Sequence, residues 1–201
     1  MNTLIRKYKK FLQMIGYFLV DLGIPDSPFV RTKGTSETFK KLADKAMKEV
    51  YGEVEQFELE SGFKIDRDWI NELAFKTQIV IKDSKLCYAH GRILYAALSK
   101  YLSQQNSLIK QDLIIIETGT ARGFSSLCMA KALSDLGSSG KILTFDLIPN
   151  ERKMFWNCIE DLEGEKTRLE LLSKWRELVD RFIIFIEEIL GKHLKLVRSA
   201  E

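Results

Sequence analysis

Four residues stand out for the chemistry that their types and spacing allow: Glu117, Gly119, Gly123 and Asp146. The first three lie inside the stretch DLIIIETGTARGFSS, residues 112–126, and the fourth follows the apolar run KILTF. Glycines at 119 and 123 let backbone approach a ligand with no Cβ in the way, and Gly119 also suits a positive φ. Ser125 or Ser126 can cap a following helix or donate to a ligand carboxylate. Glu117 repels a pyrophosphate and suits an ammonium or sulfonium charge. A carboxylate placed as Asp146 is, at the end of the next strand, reaches both hydroxyls of a ribose held against the first loop. The glycines read G-x-x-x-G, with Ala121 where a dinucleotide fingerprint has its middle glycine, and no Gly-Lys-Ser/Thr follows to form a phosphate loop. A nicotinamide-dependent oxidoreductase is therefore disfavoured.

The elements needed to position these residues are legible around them. LIIIE is a short apolar run before a glycine-rich turn, the pattern of a strand buried on both faces. SSLCMAKALSDLG reads as the next helix, starting at about Phe124 to Ser126, and KILTFD as a second strand. Helix is expected again from Pro149 through MFWNCIEDLEG and LELLSKW, before the apolar run RFIIFI. The order is β-α-β-α-β, the signature of a parallel sheet with crossover helices, whose carboxyl edge is where ligands bind. Upstream, apolar residues from Glu37 to Glu58 recur at helical spacing, as one helix or two abutting ones. Asp68 is expected to cap a short helix through Phe75, and TQIVIK to be a strand or an extended connector. In SKLCYAHGRILYAALSKYLSQQ, the residues Leu86, His90, Ile93, Leu94, Ala97, Leu98 and Tyr101 fall on one face of a further helix.

Composition narrows the function classes. With 201 residues, 45% of them hydrophobic, the chain holds one ordinary domain, and a net charge of +3 leaves no basic footprint for nucleic acid. Cys87, Cys128 and Cys158 lack the spacing of a zinc site or a disulfide framework, which suits a reducing cytoplasm. The apolar run FLQMIGYFLV behind Arg6, Lys7, Lys9 and Lys10 is too short to cross a bilayer. An amphipathic helix packed on the body is preferred there over an interfacial membrane helix. No integral membrane segment and no metal site are expected. Residues 21–36, with two prolines and two glycines, read as a linker.

An ammonium, a carboxylate and a ribose together are the recognition groups of S-adenosyl-L-methionine. E-x-G-x-x-x-G-[FY]-S, met here as ETGTARGFS, is the first motif of the O-methyltransferase-like group sometimes called type 24 methyltransferases. The sequence resembles this group of the class I S-adenosylmethionine-dependent methyltransferases, and the resemblance takes in HGRILYAAL and TFDLIPNERKMFWNCIEDLEG, roughly residues 76 to 186. It implies a Rossmann-like α/β domain over residues 76–201, incomplete at its C-terminus, behind an N-terminal helical region over residues 1–75. It further implies that Gly119 and Gly123 border the methionine part of the cofactor, that Glu117 lies near its amino group, that Ser125 meets its carboxylate and that Asp146 holds the ribose. Thr120, Ala121, Phe124 and Leu147 complete the expected cofactor-binding set. The implied activity is methyl transfer to an oxygen of a small-molecule or sugar-like acceptor.

Family members continue past the third strand with a Gly-Asp pair and at least two more strands that hold acceptor and catalytic groups. Here Glu187, Glu188 and the basic tail LGKHLKLVRSAE follow RFIIFI, so no catalytic base is identified. The alternative is a truncated, inactive protein that binds cofactor or a partner. With its fourth strand missing, LIIIE is expected to form an open sheet edge through which the chain aggregates or pairs as a homo-oligomer. His90 is read as structural, Trp156 and Phe155 as core, and His193 with the tail lysines as a solvated end. Arg122 is left open between an anionic acceptor and solvent.

Overall fold

The structure is a computed structural model that describes residues 33–148 and 150–187. The expected helix at FLQMIGYFLV, most of the linker, Pro149 as a helix start and the basic tail lie outside the described residues.

Helix α1 (Ser36–Met47) begins where Thr35 Oγ1 accepts from Thr38 N at 3.2 Å. The helical stripe beyond Glu37 is interrupted after Met47 and resumes as α2 (Gly52–Ser61), which ends on Gly62 at φ 77. Helix α3 spans Arg67–Thr77 and is capped by Asp66, whose Oδ1 accepts from Trp69 N at 2.7 Å, so the cap is two residues ahead of the expected Asp68. TQIVIK is a connector and not a strand. Its Ile79 is buried, and the side-chain amide of Asn157 takes the place of a strand partner for Ile81: Nδ2 donates to Ile81 O at 2.9 Å and Oδ1 accepts from Ile81 N at 3.3 Å.

Helix α4 (Ala89–Ser103) forms as expected but buries a different face. Arg92, Tyr95, Ala96, Ser99 and Leu102 point inward, while Ile93 and Tyr101 stand exposed. Arg92 and Tyr95 on the inner face have dedicated polar partners, which apolar periodicity does not register. Arg92 forms a two-point ion pair with Glu58 of α2, with Nε at 2.8 Å from Oε1 and Nη2 on Oε2, and Tyr95 donates to Asp135 Oδ2 at 2.8 Å.

After the short helix α5 (Ser107–Asp112) come β1 (Ile114–Thr118), α6 (Phe124–Asp135) and β2 (Lys141–Phe145). Residues 150–167 are not the expected α-helix. They form a loop with one bridge, Met154 to Lys166, and a 3-10 turn at Ile159–Asp161. The buried Asp161 organises it by accepting from the backbone N–H of Trp156, Glu165 and Lys166. Met154, Trp156 and Cys158 fill a small core with Leu171, so the apolar density that suggested a helix serves loop packing. Two short helices, α7 (Arg168–Leu171) and α8 (Arg176–Phe182), lead to β3 (Ile183–Ile186).

The three strands form a parallel sheet in the order β1-β2-β3, with Ile116 opposite Leu143 and Leu143 opposite Ile184. The chain is thus an α/β protein. Strand order that advances in one direction, with crossovers of one hand, places both crossover helices on one face. Helix α6 accordingly packs on β2 and α8 on β3, burying Ile142, Thr144 and Ile183, and the same core continues through Leu73, Leu102 and Phe39. The expectation that LIIIE is buried on both faces therefore fails for a topological reason: nothing in this strand order brings a helix to the other side, and Ile114 and Ile116 are 53% and 64% exposed.

Candidate functional site

The β1–α6 loop rises from the carboxyl edge of the sheet. Backbone φ is positive at Gly119 (81°), Ala121 (47°) and Gly123 (77°) and not at Thr120 or Arg122 between them. The loop is tied down by Gly119 N to Phe145 O and Gly123 N to Thr120 O, both 2.8 Å.

The two glycines do different work. A Cβ on Gly123 would meet Leu172 Cδ1 at 2.7 Å, so that glycine is required by packing as well as by φ. A Cβ on Gly119 would meet nothing within 4 Å, so Gly119 is the one that faces open space. Ala121 holds its left-handed φ without the freedom of a glycine, at a cost of about 1–2 kcal/mol.

Phe124 is buried and opens α6, and Gly123 is its N-cap with no side-chain cap bond. Neither serine caps the helix. Ser126 is buried and donates to Glu117 Oε2, whereas Ser125 is half-buried. First-turn amides without a side-chain cap remain available to a carboxylate.

Glu117, on the covered face of β1, also accepts from Thr144 Oγ1 at 2.7 Å, and Thr144 Oγ1 lies 2.6 Å from Oγ1 of the buried Thr120. Burial raises the Glu117 carboxyl above its usual range. The bonds from Ser126 and Thr144 pull it back, nearby Asp146 raises it, and Arg168 lowers it. A carboxyl raised on folding lends stability that is fully present below its unfolded pKa and is lost as pH rises through the folded value. The melting temperature of the parent relative to Glu117→Gln should therefore fall as pH rises from about 4 upward, since about 4.3 is the unperturbed glutamate value. Parallel melting curves for the two proteins across that window would contradict the burial of this charge.

Asp146 follows β2 directly. Its Oδ1 accepts from Ile148 N at 3.1 Å, and its Oδ2 from Ala121 N at 2.6 Å and from Arg168 Nη2 at 3.0 Å. Three of the roughly four lone-pair directions of the carboxylate are thereby used, which leaves one on Oδ1 for a ligand hydroxyl. Arg168, which holds the other side of Asp146, was not legible from local pattern. It is 1% exposed, donates from Nε to Ala121 O at 2.8 Å and from Nη1 to Asn150 Oδ1, and lies 5.7 Å from the ring centres of both Trp156 and Phe185. The guanidinium thus clamps the β1–α6 loop to the end of β2. Leu147, next to Asp146, is 69% exposed.

Arg122 is neither solvated nor directed at an acceptor. It is buried and donates from Nε to Trp156 O at 2.6 Å, and burial lowers its pKa to about 10. Trp156 and Phe155 are core, as expected. His90 lies outside the buried face of α4, with its ring 5.0 Å from that of Phe124, and burial of the ring followed by the nearby Lys82 lowers its pKa. Tyr88 contacts Phe124 from another side at 6.4 Å and lines a cavity of about 300 Å³ with Tyr51, Arg67, Asn71 and Arg92.

Among the described residues no group of three His, Cys, Asp or Glu side chains could hold a metal ion, and no helix is long and apolar enough to cross a membrane. No protein-family model, no curated protein and no solved structure matches the chain, so the geometry of this site carries the functional reading.

Proposed function

We propose that the β1–α6 loop binds S-adenosyl-L-methionine and that the chain is a class I methyltransferase, built on a Rossmann-like fold with an N-terminal helical region. Its acceptor would be an oxygen of a small or sugar-like molecule. The observation that carries the reading is the convergence of Glu117, Gly119, the uncapped start of α6 and Asp146 at the carboxyl end of two adjacent parallel strands. When bound, the cofactor supplies a methyl group on a sulfonium, and the protein's task is to orient it. In this reading the α6 amides and Ser125 meet the cofactor carboxylate. Glu117 draws its ammonium, and the open side of Gly119 admits the methionine chain. Thr120, Ala121, Phe124 and Leu147 shape the walls, and the remaining lone pair of Asp146 takes one ribose hydroxyl.

Three free thiols, Cys87, Cys128 and Cys158, suit a reducing compartment, and the cytoplasm is the one proposed. A second reading, a protein that binds without turnover, draws support from Arg168: while it holds Asp146, the two-hydroxyl grip on a ribose is closed. Calorimetric titration of the full chain with S-adenosylhomocysteine and, separately, with a nicotinamide dinucleotide tests the site. Binding of the first alone is expected, and binding of the second alone would replace this reading with an oxidoreductase.

A further inference from the structure

The cavity of about 300 Å³ beside Tyr88 has no part in the cofactor site, and four separate segments converge on it. The loop before α2 brings Tyr51, α2 brings Glu55, α3 brings Arg67 and Asn71, and the start of α4 brings Tyr88 and Arg92. Much of the charge around it is spent. Arg92 is locked to the buried Glu58 by its two-point pair, and Glu49, also on the wall, holds Lys85 at 2.7 Å. Arg67 is held far more loosely. It reaches Glu58 Oε2 at 3.4 Å and Glu55 Oε1 at 3.8 Å, both through Nη2 and both longer than the roughly 2.7–2.9 Å of a charge-assisted bond. Its Nη1 donates to nothing among the described residues. Asn71 lies one helical turn further along the same side of α3, and its Oδ1 already accepts from Tyr88 Oη at 2.8 Å, so the hydrogens of Nδ2 are what it has left to offer. Lys48, exposed on the same wall, has no acidic partner among the described residues.

We propose that this cavity binds a small organic monocarboxylate, its head on the Nη1–Nη2 end of Arg67 and the Asn71 amide, its compact apolar body against Tyr51 and Tyr88. The uncommitted groups decide the sign of the ligand. They are donors, and the planar end of a guanidinium matches the two oxygens of a carboxylate. Glu55 now stands nearest that end, but it is exposed and 3.8 and 4.0 Å from the two guanidiniums, so it can turn out to water and leave its place to the ligand. Burial raises the Tyr88 pKa while Arg67 and Arg92 pull it down, the effect of a positive field at this phenol. Glu49, Glu55 and Glu58 nearby oppose a second negative charge, which favours a monoanion over a phosphate dianion. The size sets the class: the volume is at the lower end of the roughly 300–1,000 Å³ of small-molecule sites. The cavity shares no residue with the β1–α6 site and stands whether or not that site binds its ligand.

Titration of benzoate into the isotope-labelled full chain, followed by nuclear magnetic resonance, tests both the place and the chemistry. Saturable one-site binding is expected with a dissociation constant of about 1 mM or tighter, and the Asn71 side-chain amide should be among the signals that move. Benzamide, the uncharged analogue, should bind at least tenfold more weakly. Arg67→Gln, at a side chain 36% exposed, should weaken benzoate at least tenfold, whereas Lys41→Gln on α1 removes a positive charge outside the cavity and should change nothing. Arg67→Lys keeps the charge opposite Glu58 but loses the fork; it should also weaken benzoate, and it serves if Arg67→Gln does not fold. No saturation by about 10 mM benzoate overturns the proposal, as does equal affinity for benzamide or in a folded Arg67 variant. Binding that leaves the Asn71 amide signal unmoved overturns it as well. Inorganic phosphate saturating that signal where benzoate does not would overturn the carboxylate and make this a phosphate site.

Discussion

Asp146→Ala is expected to unfold the protein more readily before it reports on any ligand. Removing the carboxylate leaves the Arg168 guanidinium, 1% exposed, without the carboxylate it pairs with, and leaves Ala121 N–H without its acceptor. Breaking a buried pair from one side costs about 3–5 kcal/mol, because the remaining charge keeps its desolvation penalty. Chemical denaturation at neutral pH should show a loss of that size. Asp146→Asn is the gentler probe: its carbonyl oxygen still accepts one bond, but the charge that offsets Arg168 is gone, so an intermediate loss is expected. If Asp146→Ala costs under about 1 kcal/mol, the clamp between the β1–α6 loop and the end of β2 contributes little. Ligand affinity in either variant is to be read only where the protein remains folded.

Arg92→Leu should be comparably damaging in the helical half. Glu58 has a side chain 3% exposed and takes both donors of the Arg92 fork, while its other cation, Arg67, stands at 3.4 Å. With Arg92 gone the carboxylate keeps only that longer contact, and a loss of about 3–5 kcal/mol is again expected. For a chain of this size that corresponds to a drop in melting temperature of roughly 10 °C. The double replacement Glu58→Leu with Arg92→Leu separates mechanism from mere disruption. Once both charges are absent the desolvation penalty vanishes, so the pair should recover most of the loss of the single variant. Losses that simply add would mean that packing around α2 and α4, and not an orphaned charge, explains the effect.

The two predictions turn on pairings that the sequence did not display, Asp146 with Arg168 and Glu58 with Arg92. What could be read from sequence was local. The apolar run before a glycine pair fixed the end of β1, and the helix after it begins at Phe124 as expected. The placing of Glu117 and Asp146 at neighbouring strand ends followed from the parallel order. The hidden features depend on contacts between distant segments. Arg168 reaches Ala121 across 47 positions, and Asn157 completes Ile81 across 76. The buried face of α4 was misread because Arg92 and Tyr95 go inward with partners on other helices, while apolar Ile93 stays outside. Residues 150–167 were misread because loop packing and helix packing draw on the same apolar residues. That the described crossover helices cover one face of the sheet was a matter of strand order, which no local pattern encodes.

The most direct test of the account is a calorimetric titration of S-adenosylhomocysteine into the parent chain and into Gly119→Val. Valine at φ 81 is strained, and its branched side chain would occupy the open side of the loop, which in the parent has no atom within 4 Å of the Cβ position. The account predicts saturable one-site binding to the parent and a loss of at least about a hundredfold, some 2.7 kcal/mol, in a variant whose far-ultraviolet circular dichroism is unchanged. Absence of binding to the parent, or equal affinity in a folded Gly119→Val, would contradict it.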